Sequence, residues 1–214
     1  MEKIIVNCIL LCVALIGYAQ QPTYSQSIYT AEQLQEGDLL FYASATDNPI
    51  TDVTNGFQGT LISHVSIVVK NQGKPYILEA NHKGVIFQPI DSTFNRLNRR
   101  KEHIYVGRIH SKWDIKTSID KAKRYIGKPY DFYFEPNDSA IYCSELVQLC
   151  YQDKQGHLLF EPIPMSFHDK TGKITNYWKE YYHKVGKEVP EGAPGSNPGD
   201  LSRNQKVKII GMIL

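Results

Sequence analysis

The sequence carries little net charge, because 24 lysine and arginine residues nearly balance 22 aspartate and glutamate residues and leave a formal charge of +2. Its densest basic run, residues 99–101, is broken at once by Glu102. Nucleic-acid-binding proteins usually show a basic stripe, so we expect no nucleic-acid partner. A phosphate-binding glycine loop and the Gly-x-Ser-x-Gly pattern are also missing, which leaves nucleotide-dependent and serine-hydrolase functions without support.

The seven histidines lack metal-ligand spacing such as His-x-x-x-His. Two histidines at that spacing would share one face of a helix and could hold a metal ion between them. We therefore predict neither a metal site nor a cofactor.

An apolar run long enough to cross a membrane is missing as well. The longest run, residues 4–16, is short of the ~20 residues that a spanning helix needs. Lys3 precedes it, and Gly17-Tyr18-Ala19 follows with small residues at the positions that a signal peptidase reads. The pattern predicts a signal peptide over residues 1–19, cleaved near Ala19, and an exported protein without a stable membrane span. Retention as an anchor is the alternative, and a lipoprotein cleaved before Cys12 fits less well because Cys12 lies inside the run.

Cysteine is scarce. Outside this N-terminal segment the chain contains only Cys143 and Cys150. They lie seven residues apart in what the pattern predicts to be one helix. At a rise of ~1.5 Å per residue their Cα atoms are roughly 10 Å apart, beyond the ~7 Å limit for a disulfide. We therefore predict two free thiols, each of which must be buried or functional to survive outside the cytoplasm.

The rest of the composition is ordinary for a globular protein, with 42% hydrophobic and 21% charged residues. We expect a lead-in segment over residues 20–33 and one domain over residues 34–214. Hydrophobic patterns predict strands at 39–42, 61–70, 76–80, 85–88, 104–109 and 207–212, and helices at 115–126, 139–151 and 174–185. Strands in the middle with helices on either side indicate an α+β fold.

Cys143 lies in or near the first turn of the helix predicted over residues 139–151, which residues 137–139 would cap. A nucleophilic cysteine must be a thiolate near neutral pH, and a helix N-terminus favours the thiolate through its dipole and free N–H groups. The same N–H groups can stabilise an oxyanion. Position in the helix therefore favours Cys143 over Cys150 as a nucleophile. The alternative is that Cys143 is a buried structural cysteine.

His64 lies inside the second predicted strand, on a more polar face that it shares with Ile62, and Glu79 lies on the return strand. Opposed residues of an antiparallel pair share a face. A two-residue turn at Gln72-Gly73 makes His64 and Glu79 diagonal neighbours, and a four-residue loop places them directly opposite. Either geometry predicts that Glu79 orients the His64 ring, which would act as the base for a cysteine nucleophile. A three-residue loop would separate them, and Glu79 would then be a solvated surface carboxylate.

Aromatic residues crowd the segment before the predicted cysteine helix. Such runs more often pack in a core or at its rim than bind a substrate. Tyr142, next to the cysteine, and Tyr130 are the candidates for substrate binding.

Four segments together resemble a known family. They are Gly37-Asp38-Leu39-Leu40-Phe41, Ser63-His64-Val65-Ser66-Ile67-Val68, Leu78-Glu79-Ala80, and residues 125–131 followed by Tyr142-Cys143-Ser144-Glu145-Leu146-Val147. They are similar to segments of the circularly permuted, NlpC-type, papain-like cysteine hydrolases, the group named for YiiX and YebB. His64 and Glu79 precede Cys143, which is the permuted order.

The resemblance implies a small antiparallel sheet with the cysteine helix packed against it. It also implies a cysteine hydrolase that cleaves a peptide or cell-wall-type amide through Cys143, His64 and Glu79. Two alternatives stay open. An acyltransferase or lipid hydrolase would act on a lipid-type amide or ester, and an apolar groove beside Cys143 would favour it over a polar one. A non-catalytic binding module is the other.

Overall fold

The computed structural model describes residues 27–94, 103–110, 112–137 and 139–213. The predicted signal peptide and the first half of the predicted lead-in, residues 20–26, lie outside these residues. Eight strands are present in this part of the chain: β1 (Leu39–Ala43), β2 (Ile62–Asn71), β3 (Lys74–Asn81), β4 (Gly84–Pro89), β5 (His103–Ile109), β6 (Ile163–Pro164), β7 (Pro194–Gly195) and β8 (Val207–Ile213). The helices are α1 (Ile115–Arg124), α2 (Cys143–Cys150), α3 (Asn176–His183) and α4 (Pro198–Arg203).

Six of the strands form one antiparallel sheet in the order β4-β3-β2-β1-β5-β8. The β2–β3 hairpin turns on two residues, Gln72 and Gly73, whose φ angles of 51° and 79° are both positive. Two positive φ angles match the type I′ turn, whose twist suits the flanking strands. Of the possible two-, three- and four-residue loops, the two-residue turn is the one that forms.

The sheet buries an apolar layer on each face. One layer lies under the helices, where Val65 and Ile67 of β2 pack with Leu146 and Val147 of α2. The other contains Leu40, Tyr42, Val68 and Ile77 among its buried members. The fold is thus α+β with the cysteine helix against an antiparallel sheet, as the sequence predicts.

A bulge in β2 changes which face one predicted residue occupies. Tyr42 pairs with His64, but the next residue of β1, Ala43, pairs with Ile62, so Ser63 is an extra residue. An extra residue reverses the alternation of faces beyond it. Ile62 therefore packs in the layer under the helices, and the expectation that it shares the His64 face is wrong.

Two helix boundaries also differ from the prediction. The first long helix ends at Arg124, and Ile126 lies beyond it with 44% of its surface exposed. The cysteine helix begins at Cys143, four residues later than expected. Residues 140–142 precede it in a non-helical conformation, because the Ile141 N–H donates to the Pro129 carbonyl at 2.9 Å. Asn137 instead accepts a hydrogen bond from the Ser139 N–H, so residues 137–139 do not cap this helix.

A buried ion pair joins the turn before β1 to β5. Asp38 is 1% exposed, and its two carboxylate oxygens each accept a 2.7 Å hydrogen bond from Arg108. Planar, bidentate pairing of this kind is the strongest form of an arginine–carboxylate contact. It anchors the start of β1, one of the two central strands of the sheet.

In the part of the chain that the structure describes, the helices are all too short or too polar to traverse a lipid bilayer.

Candidate active site

Cys143 is the first residue of α2 and is nearly buried, with 6% of its surface exposed. The first backbone hydrogen bond of the helix runs from the Leu146 N–H to the Tyr142 carbonyl at 3.0 Å. The N–H groups before it lack an acceptor within the helix, as at every helix start. The thiol therefore lies where the helix dipole and free donors favour a negative charge.

Backbone contacts fix the segment that leads into this helix. The Gly127 N–H donates to the Val85 carbonyl at 2.9 Å, and the Val85 N–H donates to the Lys128 carbonyl at 2.8 Å. At Gly84 a Cβ atom would come within 2.3 Å of the Lys128 carbonyl oxygen, so only glycine allows this approach. The β3–β4 hairpin and the lead-in to α2 are thus held in register.

His64 and Glu79 are brought together by the β2–β3 pairing. The register that pairs Ile67 with Leu78 makes them diagonal neighbours. His64 Nε2 lies 2.6 Å from Glu79 Oε2, and the two side chains are 21% and 0% exposed. Such a short contact with a buried carboxylate fixes the orientation of the ring.

The Cys143 thiol lies beside the His64 ring, close enough for its charge and hydrogen bonding to raise the pKa of the ring. Because Nε2 is bonded to Glu79, the nitrogen left for the thiol is Nδ1. Burial is the largest effect on the pKa of His64 and lowers it. The charge and hydrogen bond of Cys143, followed by those of Glu79, outweigh burial and raise the pKa to about 10. The imidazolium is therefore stable at neutral pH when the sulfur beside it is a thiolate.

Cys150, the second thiol, has a different environment. It is fully buried in the layer between the sheet and the helices, and both described cysteines are free. Burial raises the pKa of Cys150 far above that of an ordinary thiol. A thiol that cannot ionise is inert, so its role is packing.

A cleft of about 550 Å³ opens at Cys143. Its wall is mostly apolar and aromatic, and the principal contributors are Ile50, Val53, Phe134, Met165, Phe167 and Trp178. Ser63, Ser144, Ser166 and Ser196 add smaller polar patches. The groove beside Cys143 is therefore the apolar kind.

Both aromatic candidates for substrate binding line this cleft. The Tyr142 hydroxyl accepts from the Ser196 N–H at 3.1 Å and donates to the Met165 sulfur at 3.9 Å, so it ties the two walls together. The Tyr130 hydroxyl makes no hydrogen bond to a residue that the structure describes. Burial, followed by the nearby charge of Cys143, raises the pKa of Tyr130. Its hydroxyl thus stays protonated and can donate to a substrate.

Comparison with known proteins agrees with this geometry. The family model of the permuted papain-like amidase enzymes, the YaeF/YiiX or C92 family, matches residues 33–207. The chain belongs to this family. The match covers all three residues of the candidate site and strands β1 to β5 of the sheet. The permuted papain-like fold inferred from four short segments is therefore confirmed.

Two relatives of this chain come from Escherichia coli. The uncharacterized protein YiiX of strain K12 is 30% identical over 164 residues, which are 75% of this chain and 77% of that protein. The crystal structure of the protein yiiX from strain O157:H7 is similar with a TM-score of 0.67 and 26% identity, over 82% of this chain and 96% of that one. Its title describes that protein as a metalloprotein.

The residues that the structure describes in this chain do not fit a metal site. Within the described ranges no three His, Cys, Asp or Glu side chains are grouped to hold a metal ion. The nearest approach to a ligand set is His64, Cys143 and Glu79, but the His64 ring already bonds to both of the others. The second Glu79 oxygen is occupied by amide N–H donors. No step below uses a metal.

Sequence reasoning missed two groups of residues around the site. Asn81 and Gln88 contact Glu79, and residues 165–167, 178 and 196–198 build the far wall of the cleft. The first pair could have been found by the parity argument that joined His64 to Glu79. The far wall is remote in sequence and carries no motif that would assign it.

Proposed function

We propose that this chain is a cysteine amidase in which Cys143 is the nucleophile, His64 the base and Glu79 the residue that orients the histidine. The observation that carries the proposal is the contact series from the Cys143 thiol through His64 to Glu79, at the N-terminus of a helix and at the floor of a cleft. A nucleophile, a base bonded to it and a group that orients the base are the elements of nucleophilic acyl transfer.

The mechanism follows from the positions of these groups. His64 Nδ1 takes the thiol proton, and the Cys143 thiolate attacks the amide carbonyl carbon. The backbone N–H of Cys143, at the start of α2, helps to stabilise the oxyanion. The imidazolium then gives its proton to the amine as the C–N bond breaks, which leaves a thioester on Cys143. Water activated by His64 hydrolyses the thioester and releases the acid.

The lining of the cleft selects what is bonded to the amide carbonyl. An apolar wall stabilises an apolar group by about 25 cal/mol for each Å² removed from water. We therefore propose an amide whose acyl part is an alkyl chain or an apolar side chain. A peptide or cell-wall-type amide fits if the residue before the cleaved bond is apolar. In either substrate Tyr130 would donate its hydroxyl proton to an acceptor near the carbonyl.

The same apolar cleft favours a second candidate, an acyltransferase or lipid hydrolase. The thioester on Cys143 is common to both reactions, and the acceptor decides between them: water gives hydrolysis, and an amine or alcohol gives transfer. A binding module without catalysis is the third reading, and it leaves the contact of His64 with a thiol unexplained.

A matched series of substrates separates these readings. Aminocoumarin amides and hydroxycoumarin esters with acyl chains of two to twelve carbons would be assayed with and without an added primary amine. The amidase proposal predicts turnover of amides that improves with chain length and is abolished in Cys143→Ala and His64→Ala but not in Cys150→Ala. Tyr130→Phe should lower kcat about tenfold, as expected for one lost hydrogen bond to developing charge. Turnover of esters alone, or products dominated by the acylated amine, would favour the second candidate. Equal activity in Cys143→Ala and the wild type would contradict both.

We also propose that the protein is exported, with cleavage near Ala19. The support is the charged start, the apolar run and the small residues that follow it. The intact mass of protein recovered from the cell envelope or medium would test this. A mass that retains residues 1–19 would contradict cleavage and favour an anchor.

A further inference from the structure

The carboxylate of Glu79 is held on both of its oxygens. Oε2 contacts His64 Nε2 at 2.6 Å, while Oε1 accepts from Asn81 Nδ2 at 3.0 Å and from Gln88 Nε2 at 3.2 Å. Asn81 lies two residues along the same strand, and Gln88 pairs with Ile77 on the neighbouring strand. Both therefore share a sheet face with Glu79.

We propose that Asn81 and Gln88 are positioning residues for the reaction, whose side-chain amides keep Glu79 ionised and aimed at His64. This inference rests on the proposed function, since it gives a role to two residues that act only through the orienting carboxylate. Neither side chain lines the cleft.

A second hydrogen bond fixes the orientation of the Asn81 amide. Asn81 Oδ1 accepts the Lys83 N–H at 2.9 Å, which turns Nδ2 toward Glu79. Two donors on Oε1 stop rotation of the carboxylate about its last bond and leave Oε2 for the histidine. Amide N–H groups do not titrate, so they favour the carboxylate over the neutral acid at every working pH.

A buried carboxylate needs such partners because its charge is costly away from water. The titratable groups against this site among the described residues are His64 on β2, Cys143 on α2, Tyr42 on β1 and Tyr130 in the lead-in to α2. Of these four groups, His64 is in direct contact with the Glu79 carboxylate. The amides therefore affect catalysis by setting how well the imidazolium is stabilised.

The test is the pH dependence of kcat/KM and of Cys143 alkylation by iodoacetamide, for Gln88→Met and Asn81→Ala in the full chain. Weaker stabilisation of the carboxylate lowers the pKa of His64. The alkaline limb of the pH profile of kcat/KM should therefore move down by about one pH unit. We expect kcat to fall about tenfold for each variant, with KM unchanged.

Matched controls are Gln155→Met and Asn71→Ala, the same substitutions at exposed positions. A smaller fraction of folded protein lowers the activity at every pH but does not change the pH at which kcat/KM rises or falls. Partial destabilisation therefore cannot produce the expected shift of the pH profile. A double-mutant cycle with Glu79→Gln adds a second criterion. If Gln88 acts through the carboxylate, Gln88→Met should have little further effect on kcat once Glu79 is an amide.

The outcomes separate this inference from the proposed function. Limbs that shift in Glu79→Gln but stay at the wild-type pH in both Gln88→Met and Asn81→Ala would overturn the inference alone. Full additivity in the cycle would also overturn it, because a merely structural role is independent of residue 79. An ordinary-thiol alkylation profile in the wild type would overturn the proposed function and the inference with it.

Discussion

Replacement of Glu79 by glutamine should be far more damaging than its near-identical shape suggests. Asn81 and Gln88 both donate to Oε1, so the carbonyl oxygen of the new amide must occupy that side. Its NH₂ group then faces His64 Nε2. Two donors cannot share one hydrogen bond, so Nε2 must be the unprotonated nitrogen and the proton must lie on Nδ1, toward Cys143. The ring is then in the wrong tautomer to accept the thiol proton.

The expected loss follows from what the base supplies. General-base catalysis contributes about 10²- to 10⁴-fold, and the wrong tautomer removes it while it also disfavours the imidazolium. We expect kcat to fall about 10³-fold, which corresponds to about 4 kcal/mol of transition-state stabilisation. The pKa of His64, which Cys143 and Glu79 raise to about 10, should fall, because one of the two negative charges beside it is gone.

The assay is amide hydrolysis from about pH 5 to pH 11 for Glu79→Gln, with Glu188→Gln at an exposed position as the control. His64 keeps its proton below its raised pKa of about 10, so the activity of the wild type should fall as the pH rises through that pKa. In the variant the pKa is lower, and the alkaline limb of the pH profile should move to lower pH. Activity within tenfold of the wild type, with the alkaline limb unmoved, would refute the reasoning about the tautomer.

Three further variants test the surroundings of the site. Cys150→Ala should keep kcat within about twofold, because this thiol is buried and un-ionised; a large loss in the hydrolysis assay would contradict its packing role. Gly195→Ala should raise KM about tenfold and leave Cys143 alkylation unchanged. The new Cβ would lie 2.6 Å from the Met165 sulfur and 2.8 Å from the Tyr142 hydroxyl, and both of these residues line the cleft. An unchanged KM would show that this wall does not contact the substrate. Asp38→Asn should lower the free energy of unfolding by about 2 kcal/mol and Tm by roughly 4–8 °C, measured by thermal denaturation. Arg108 is 27% exposed, so solvent partly screens its charge after the partner is lost. A loss beyond about 5 kcal/mol would contradict this screening.

The sequence predicts the sheet well, because alternation within β2 and β3 carries most of the information. Parity alone places His64 and Glu79 on one face for both plausible loop lengths. The choice between diagonal and opposite pairing depends on the turn at Gln72 and Gly73, where two positive φ angles select the shorter loop.

The start of the cysteine helix is less predictable because a tertiary contact decides it. Residues 139–142 contain no helix breaker, and Tyr142 is not a usual N-cap residue. The hydrogen bond from Ile141 to Pro129 prevents helix formation there, and local patterns do not contain this information. The consequence is functional, since it makes Cys143 the first helical residue.

The lining of the cleft is a second feature that the sequence does not predict. Its near wall comes from the aromatic segment before α2, whereas Met165, Phe167 and Trp178 come from later in the chain. Their packing around α3 creates the apolar surface, and nothing in their spacing links them to Cys143. The chemistry of the site was therefore more predictable than its specificity.

The most direct test of the central claim is the rate of Cys143 alkylation against pH, followed by mass spectrometry with Cys150 in the same molecule as the reference. The account predicts fast labelling of Cys143 well below pH 8, lost in His64→Ala, while Cys150 stays unlabelled in the folded protein. Labelling of Cys143 that rises only near pH 8.5, as for an ordinary thiol, and that is unaffected by His64→Ala would contradict it.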